Sequence, residues 1–162
     1  LENNNLLGII MINESLKSKG TVTLVLTAKD GTIKDKLVSN TIVNAGKLFM
    51  TSRLFSDASD TFTYHVGVGG DPTAVAVTQV GLVAPLGNRV PSITPILAQT
   101  TIADDSIQLE ASFGTGATTL EIKEAGLFLG LTGINMIART TFGLITKNPD
   151  DTLTITWKLQ QT

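Results

Sequence analysis

The run Glu124-Ala125-Gly126-Leu127-Phe128-Leu129-Gly130 is short, almost wholly apolar and punctuated by glycine. A run of this kind suits a central strand buried on both faces, with glycine where the chain bends or a neighbour approaches closely. Strand-like segments flank it, Thr118 to Lys123 before and Asn135 to Phe142 after. Glu124 stands at its head. It is placed for a buried, architectural salt bridge to Arg139 or Arg89.

Alternation supplies the walls around that strand. Leu153, Ile155, Trp157 and Leu159 fall on one face of the last segment, and Thr152, Thr154, Thr156, Lys158 and Gln160 on the other. Such a strict period of two marks a half-buried antiparallel strand. Burying those four apolar side chains contributes roughly 6–12 kcal/mol before chain entropy is set against it. Ile107, Leu109, Ala111 and Phe113 repeat the pattern, and so do Val22, Leu24 and Leu26. Asp30-Gly31 supplies a hairpin turn between Thr21–Thr27 and a returning strand over Thr32–Thr41, whose apolar marks are Ile33, Leu37 and Val38. One helix is expected after Val43, with Asn44 as N-cap and Leu48, Phe49, Ser52 and Phe55 along one face. Residues 73–86 form either a short helical turn or a long surface loop. Pro91 and Pro95 confine their segments to an edge or a bend. Ile145 to Asp151 is expected to be a loop.

The fold class is therefore all-β: an antiparallel β-sandwich with one short α-helix. A length of 162 residues suits one domain. The sandwich is assigned to residues 21–162 and an extended N-terminal arm to residues 1–20. The arm carries a sticky, uncharged segment, Leu6-Leu7-Gly8-Ile9-Ile10-Met11-Ile12, before a polar hinge at Lys17–Gly20. It is either an ordinary first strand or an interaction element that lies on a neighbouring subunit or adds to its sheet edge. Leu6, Leu7, Ile9, Ile10, Met11 and Ile12 are the candidate interaction residues.

Composition narrows the chemistry. Cysteine is absent and His65 is the lone histidine. Thiol nucleophiles, disulfides and zinc sites of the usual ligand sets are thereby excluded. A packed imidazole is the simplest account of His65, so no catalytic residue is assigned. Asp104-Asp105 and Asp150-Asp151 sit in turn chemistry, where aspartate serves the backbone. Gly67-x-Gly69-Gly70 matches neither phosphate-loop spacing, and Pro72 interrupts the helix start such a loop needs. Glu121 and Lys123 are expected to form an exposed ion pair. No cofactor and no metal are expected. With 12 basic and 14 acidic residues and no basic run, direct nucleic-acid binding has no electrostatic footprint. No apolar stretch is long enough for a membrane helix.

In its order of segments the chain resembles a family of small virion structural proteins of tailed bacteriophages: capsid cement or decoration proteins, and base modules of head or tail fibres. The resemblance runs from about Gly20 to the end. It is carried by Gly20–Leu24 with Lys29-Asp30-Gly31, Val43–Leu48, His65–Gly69 with Asp71-Pro72-Thr73, and Gly87-Asn88-Arg89. Lys123–Phe128, Met136–Phe142 and Leu153–Leu159 complete it. It implies a jelly-roll-type sandwich, a homo-oligomer (a trimer above all), and partners in the major capsid protein or another virion protein. It places the chain in the virion, assembled in the bacterial cytoplasm, and implies no catalysis. A tail, baseplate or fibre-base component is the alternative. A carbohydrate-binding sandwich is the second, although Trp157 lies on the apolar face rather than in reach of a sugar.

Overall fold

A computed structural model describes residues 17–55, 63–93, 95–99, 103 and 105–161. The apolar segment from Leu6 to Ile12 and Asp104 lie outside the described residues.

Two five-stranded sheets face each other. Sheet A holds β1 (Ser18–Thr27), β2 (Ile33–Ser39), β6 (Ile96–Ala98), β7 (Ser106–Phe113) and β10 (Thr152–Gln161), in the order β2-β1-β10-β7-β6. Sheet B holds β3 (Thr41–Ile42), β4 (Tyr64–Gly69), β5 (Val90–Pro91), β8 (Leu120–Leu129) and β9 (Met136–Lys147), in the order β3-β9-β8-β4-β5. All the pairings are antiparallel. The all-β sandwich expected from the alternation is the fold.

The core lies between the sheets. Val22 and Leu24 of β1, Leu109 and Ala111 of β7, and Leu153, Ile155 and Trp157 of β10 meet Val66 and Val68 of β4, Ile122, Ala125 and Leu127 of β8, and Ala138 of β9. Small polar side chains fill the middle of the other face of sheet A, and Ile33 and Leu37 of β2 lie at its edge beside Thr27 and Thr23. Thr23 pairs with Thr156, Thr27 with Thr152, and Thr154 with Ser112. Sequence periodicity thus sorts sheet A into a dry face and a wet one, since paired residues point the same way.

β8 occupies the centre of sheet B, as its composition requires. Residues Glu124 to Phe128 are buried on both faces. Ala125 and Leu127 face the sandwich core, while Phe128 joins a second, smaller cluster with Val43 and Met136 on the outer side, where Leu82 covers it. Gly126 is needed there: a Cβ would come within 2.8 Å of the Phe128 ring and 3.0 Å of Leu82.

Several local expectations shift. β1 begins at Ser18, pairing with Gln161, so the supposed hinge at Ser18–Gly20 is strand. Backbone pairing with β10 outweighs the polar composition of that stretch. β9 runs on to Lys147 and pairs with Leu120–Ile122, leaving only residues 148–151 as the turn. Two register shifts in β9 make that length possible. In β2 two of the three apolar marks point the wrong way for a core: Ile33 and Leu37 are 65% and 69% exposed, and only Val38 packs inward. Lys34, Lys36 and Val38 share the inner face instead, opposite Leu26, Leu24 and Val22.

The helix α1 (Asn44–Phe55) forms where expected but starts one residue earlier in its capping. Lys47 N–H donates to the Val43 carbonyl, so Val43 holds the N-cap position and Asn44 is the first helical residue. Leu48 is exposed, and the inward face is Gly46, Phe49, Met50 and Arg53 at helical spacing. A bulge places Ile137 between the pairs Leu127–Ala138 and Phe128–Met136. The Ile137 carbonyl accepts from Val43 N–H at 3.1 Å, and a Cβ on Gly46 would collide with that same carbonyl. Gly46→Ala therefore sets a helix-propensity gain of about 1 kcal/mol against a backbone clash, and the clash wins. Net destabilisation of about 1–3 kcal/mol is expected, measured as a lowered urea midpoint.

Candidate interaction surface

The outer face of sheet B is plated by the segment between β4 and β5. Gly70 N–H donates to the Ala84 carbonyl and Leu86 N–H to the Val68 carbonyl, both along β4. Asn44 N–H of α1 donates to the Val77 carbonyl. The segment is thus a long surface loop, with a turn at residues 77–78, rather than a helix.

A buried ion pair holds it down. Glu124 and Arg139 side chains are both fully buried, with Arg139 Nη2 2.8 Å from Glu124 Oε2. Arg139 Nε donates to the same oxygen at 2.8 Å. Nη2 lies outside hydrogen-bond geometry to every acceptor, so its contact is ionic and Nε supplies the directed bond. Glu124 then accepts from Ala84 N–H at 2.8 Å through Oε1 and from Val83 N–H at 3.2 Å through Oε2. Arg139 Nη1 donates to the Thr73 carbonyl at 2.9 Å and to Gln79 Oε1 at 3.0 Å. One acid and one base on neighbouring strands therefore bind both limbs of the loop. Of the two partners open to Glu124 in the sequence, Arg139 is the one taken.

Arg89 does separate work. Its guanidinium carbon sits 3.6 Å from the centre of the Phe128 ring. Nη1 donates to the Gly130 carbonyl and Asn135 Oδ1, and Nη2 to the Gly133 carbonyl at 2.6 Å. Burial lowers its pKa, but arginine remains charged. Arg89 so ties the loop's end to the β8–β9 turn, where Gly130 and Gly133 adopt φ of about +90°.

The two tied segments form an apolar platform. Val80, Leu131 and Ile134 line a cleft of about 280 Å³ with Arg89 and Phe128. They are 46%, 54% and 76% exposed, and Val77 and Val83 are also exposed on the same loop. Apolar side chains on a hydrogen-bonded, ion-pinned backbone are what a protein contact needs, because little order remains to be imposed on binding. Charge is scarce there, which removes a desolvation cost.

The residues weighed for chemistry are placed elsewhere. His65 is buried, with Nδ1 3.2 Å from the Thr63 carbonyl. Gly69 is glycine because a Cβ would collide with the Glu124 carboxylate. Asp151 accepts from the Asn148 backbone and side chain, and Asp150 pairs with Lys29 at 2.9 Å. Asp105 accepts from Gln160 Nε2. Among the described residues no group of three or more potential ligands could hold a metal. Glu121 and Lys123 do not form the expected ion pair; among the described residues the pairs are Lys29–Asp150 and Glu124–Arg139. Trp157 is fully buried, out of reach of a sugar ring. No helix among the described residues is long and apolar enough to cross a membrane.

Glu124→Gln leaves Arg139 buried without a counter-charge and is expected to cost about 3–5 kcal/mol, read from urea unfolding. Glu124→Leu with Arg139→Met restores most of that stability while releasing the loop. Hydrogen exchange at Val83 and Ala84 should rise in the double variant even though global unfolding does not. Acid acts at a second point. Hydrogen bonds from the Thr73 side chain and backbone hold the Asp71 carboxyl below its ordinary value of 3.8. A depressed folded pKa gives stability that is present above the unfolded value and lost as pH falls through the folded one. The Thr73 amide is therefore expected to stay protected at pH ~4 and to lose protection only on further acidification, followed by NMR.

No family model matches this chain, and no curated protein and no solved structure matches it significantly.

Proposed function

We propose that this chain is a virion structural protein of a tailed bacteriophage, a cement or decoration protein that binds the assembled head through oligomeric, non-catalytic contacts. The order of its segments supports that reading, and the pinned apolar platform at Val80, Leu131 and Ile134 carries it. A cement protein stabilises a shell by binding the lattice better than it binds free subunits. An oligomer presents several such platforms at once, so individually weak patches combine through effective concentration. The platform would face the major capsid protein, or another virion protein, as an apolar anchor ringed by backbone that is already satisfied.

Val80→Asp with Ile134→Asp tests it. Both side chains are largely exposed, so the sandwich is expected to fold with unchanged circular dichroism and unfolding midpoint. Affinity for purified particles should fall at least about 30-fold, the equivalent of losing one anchor of roughly 2 kcal/mol, read as reduced occupancy at sub-saturating protein. Undiminished occupancy removes the platform from the interface. Densitometry of the particles separates the head from the tail: a cement protein is present in many copies, a tail or baseplate part in a handful.

A further inference from the structure

One edge of the sandwich is open. β3 pairs with β9 only at Arg139 and Ala138, so β9 from Gly143 to Lys147 has β8 on one side and, among the described residues, no strand on the other. Facing it across the gap is β2, the edge of sheet A. The inner rank of β2 packs on the core only at Val38, and Lys34 and Lys36 stand where a core would place apolar side chains. An opening of about 300 Å³ results, lined by Leu24, Leu26, Leu144 and Ile145 with Lys34 and Lys36 at its rim. Leu144 is 53% exposed there, beside the core itself.

We propose that this opening receives the segment Leu6–Ile12 of a second copy of the chain. The inference rests on the oligomeric part of the proposed function and names the contact that builds the oligomer. An extended strand gains hydrogen bonds along the free edge of β9 and places alternate side chains over Leu24, Leu26 and Leu144. Leu6–Ile12 supplies seven uncharged residues for that role, with Glu2 and Glu14 on either side. The rim carries Lys34, Asp35 and Lys36, a net single positive charge, so the flanks of the segment meet the opposite sign.

Reach decides between the chain's own segment and a neighbour's. Ile12 and Ser18 are six residues apart, and six residues span at most about 20–22 Å. The level of the opening lies at Leu24, six residues along β1 from Ser18, or roughly 20 Å. Reversing direction at Ser18 and crossing β2 uses roughly 5–10 Å more. The chain's own Ile12 would need a taut connection with no slack for the turn, and a neighbouring copy has no such limit.

The chain lacks cysteine, so disulfide trapping is clean. An Ile10→Cys/Leu144→Cys variant is expected to form disulfide-linked multimers under mild oxidation. Docking raises the local thiol concentration, so linkage should run at least about tenfold faster than in an Ile10→Cys/Leu97→Cys control, whose second thiol is exposed on β6, at the opposite edge of sheet A from β2. Mixing the Ile10→Cys and Leu144→Cys single variants should yield a linked pair of unlike chains, independent of how the double variant behaves. An internal disulfide in a monomer, or linkage no faster than the control, overturns the inference. Light scattering on the unmodified protein separates the two ideas. An oligomer without the trapped bond sinks only this contact, and a monomer without it sinks the oligomeric reading as well.

Discussion

The Glu124–Arg139 pair governs sheet B. Two opposite charges with no water access are an unpromising source of net stability, because desolvation offsets most of their attraction. Their value here is positional. Glu124 closes on two backbone amides of one loop limb, and Arg139 on a carbonyl and an amide of the other. A loop laid over a sheet would otherwise leave polar backbone groups buried without partners, at a cost of about 1–3 kcal/mol each. The pair converts that liability into a fixed outer layer.

Other features follow from accommodating the layer. Gly69 and Gly126 surrender their side chains so that a carboxylate and an aromatic ring can lie flat against β4 and β8. The bulge at Ile137 turns a carbonyl outward to start α1. Arg89 then seals the far end by stacking on Phe128 and gathering the carbonyls of the β8–β9 turn. The apolar side chains left exposed along this layer are those of a loop held as firmly as a strand.

Periodicity made the sandwich legible. Strict alternation at 107–113 and 153–159 and the continuous apolar run at 124–130 correspond to β7, β10 and the C-terminal half of β8. Glu124 at the head of that run was also readable, since an acid entering a doubly buried strand must find a base. Pattern misled where a strand lies at an edge. Ile33 and Leu37 look like core marks, but β2 has a neighbour on one side only and turns its lysines inward, a device that discourages open-ended strand addition. Leu48 misled for a different reason: the face of α1 is set by where Gly46 can touch Ile137, and a contact with a backbone carbonyl leaves no trace in hydrophobicity. The role of Arg89 was hidden because its acceptors are carbonyls, which every residue has. The platform was hidden with it, because Val80 and Ile134 become neighbours only when the loop is tied to the turn.

The two broad faces of the molecule end up chemically unlike. Sheet A turns threonine and serine outward in paired rows, Thr23 beside Thr156 and Thr154 beside Ser112. Short hydroxyl side chains hold water along its middle strands, while the edge strands β2 and β6 expose Ile33, Leu37 and Ile96. Sheet B wears its loop instead, with valine, leucine and isoleucine at the surface. Exposed apolar surface is thus spread along the loop on one side of the sandwich and confined to the edge strands β2 and β6 on the other.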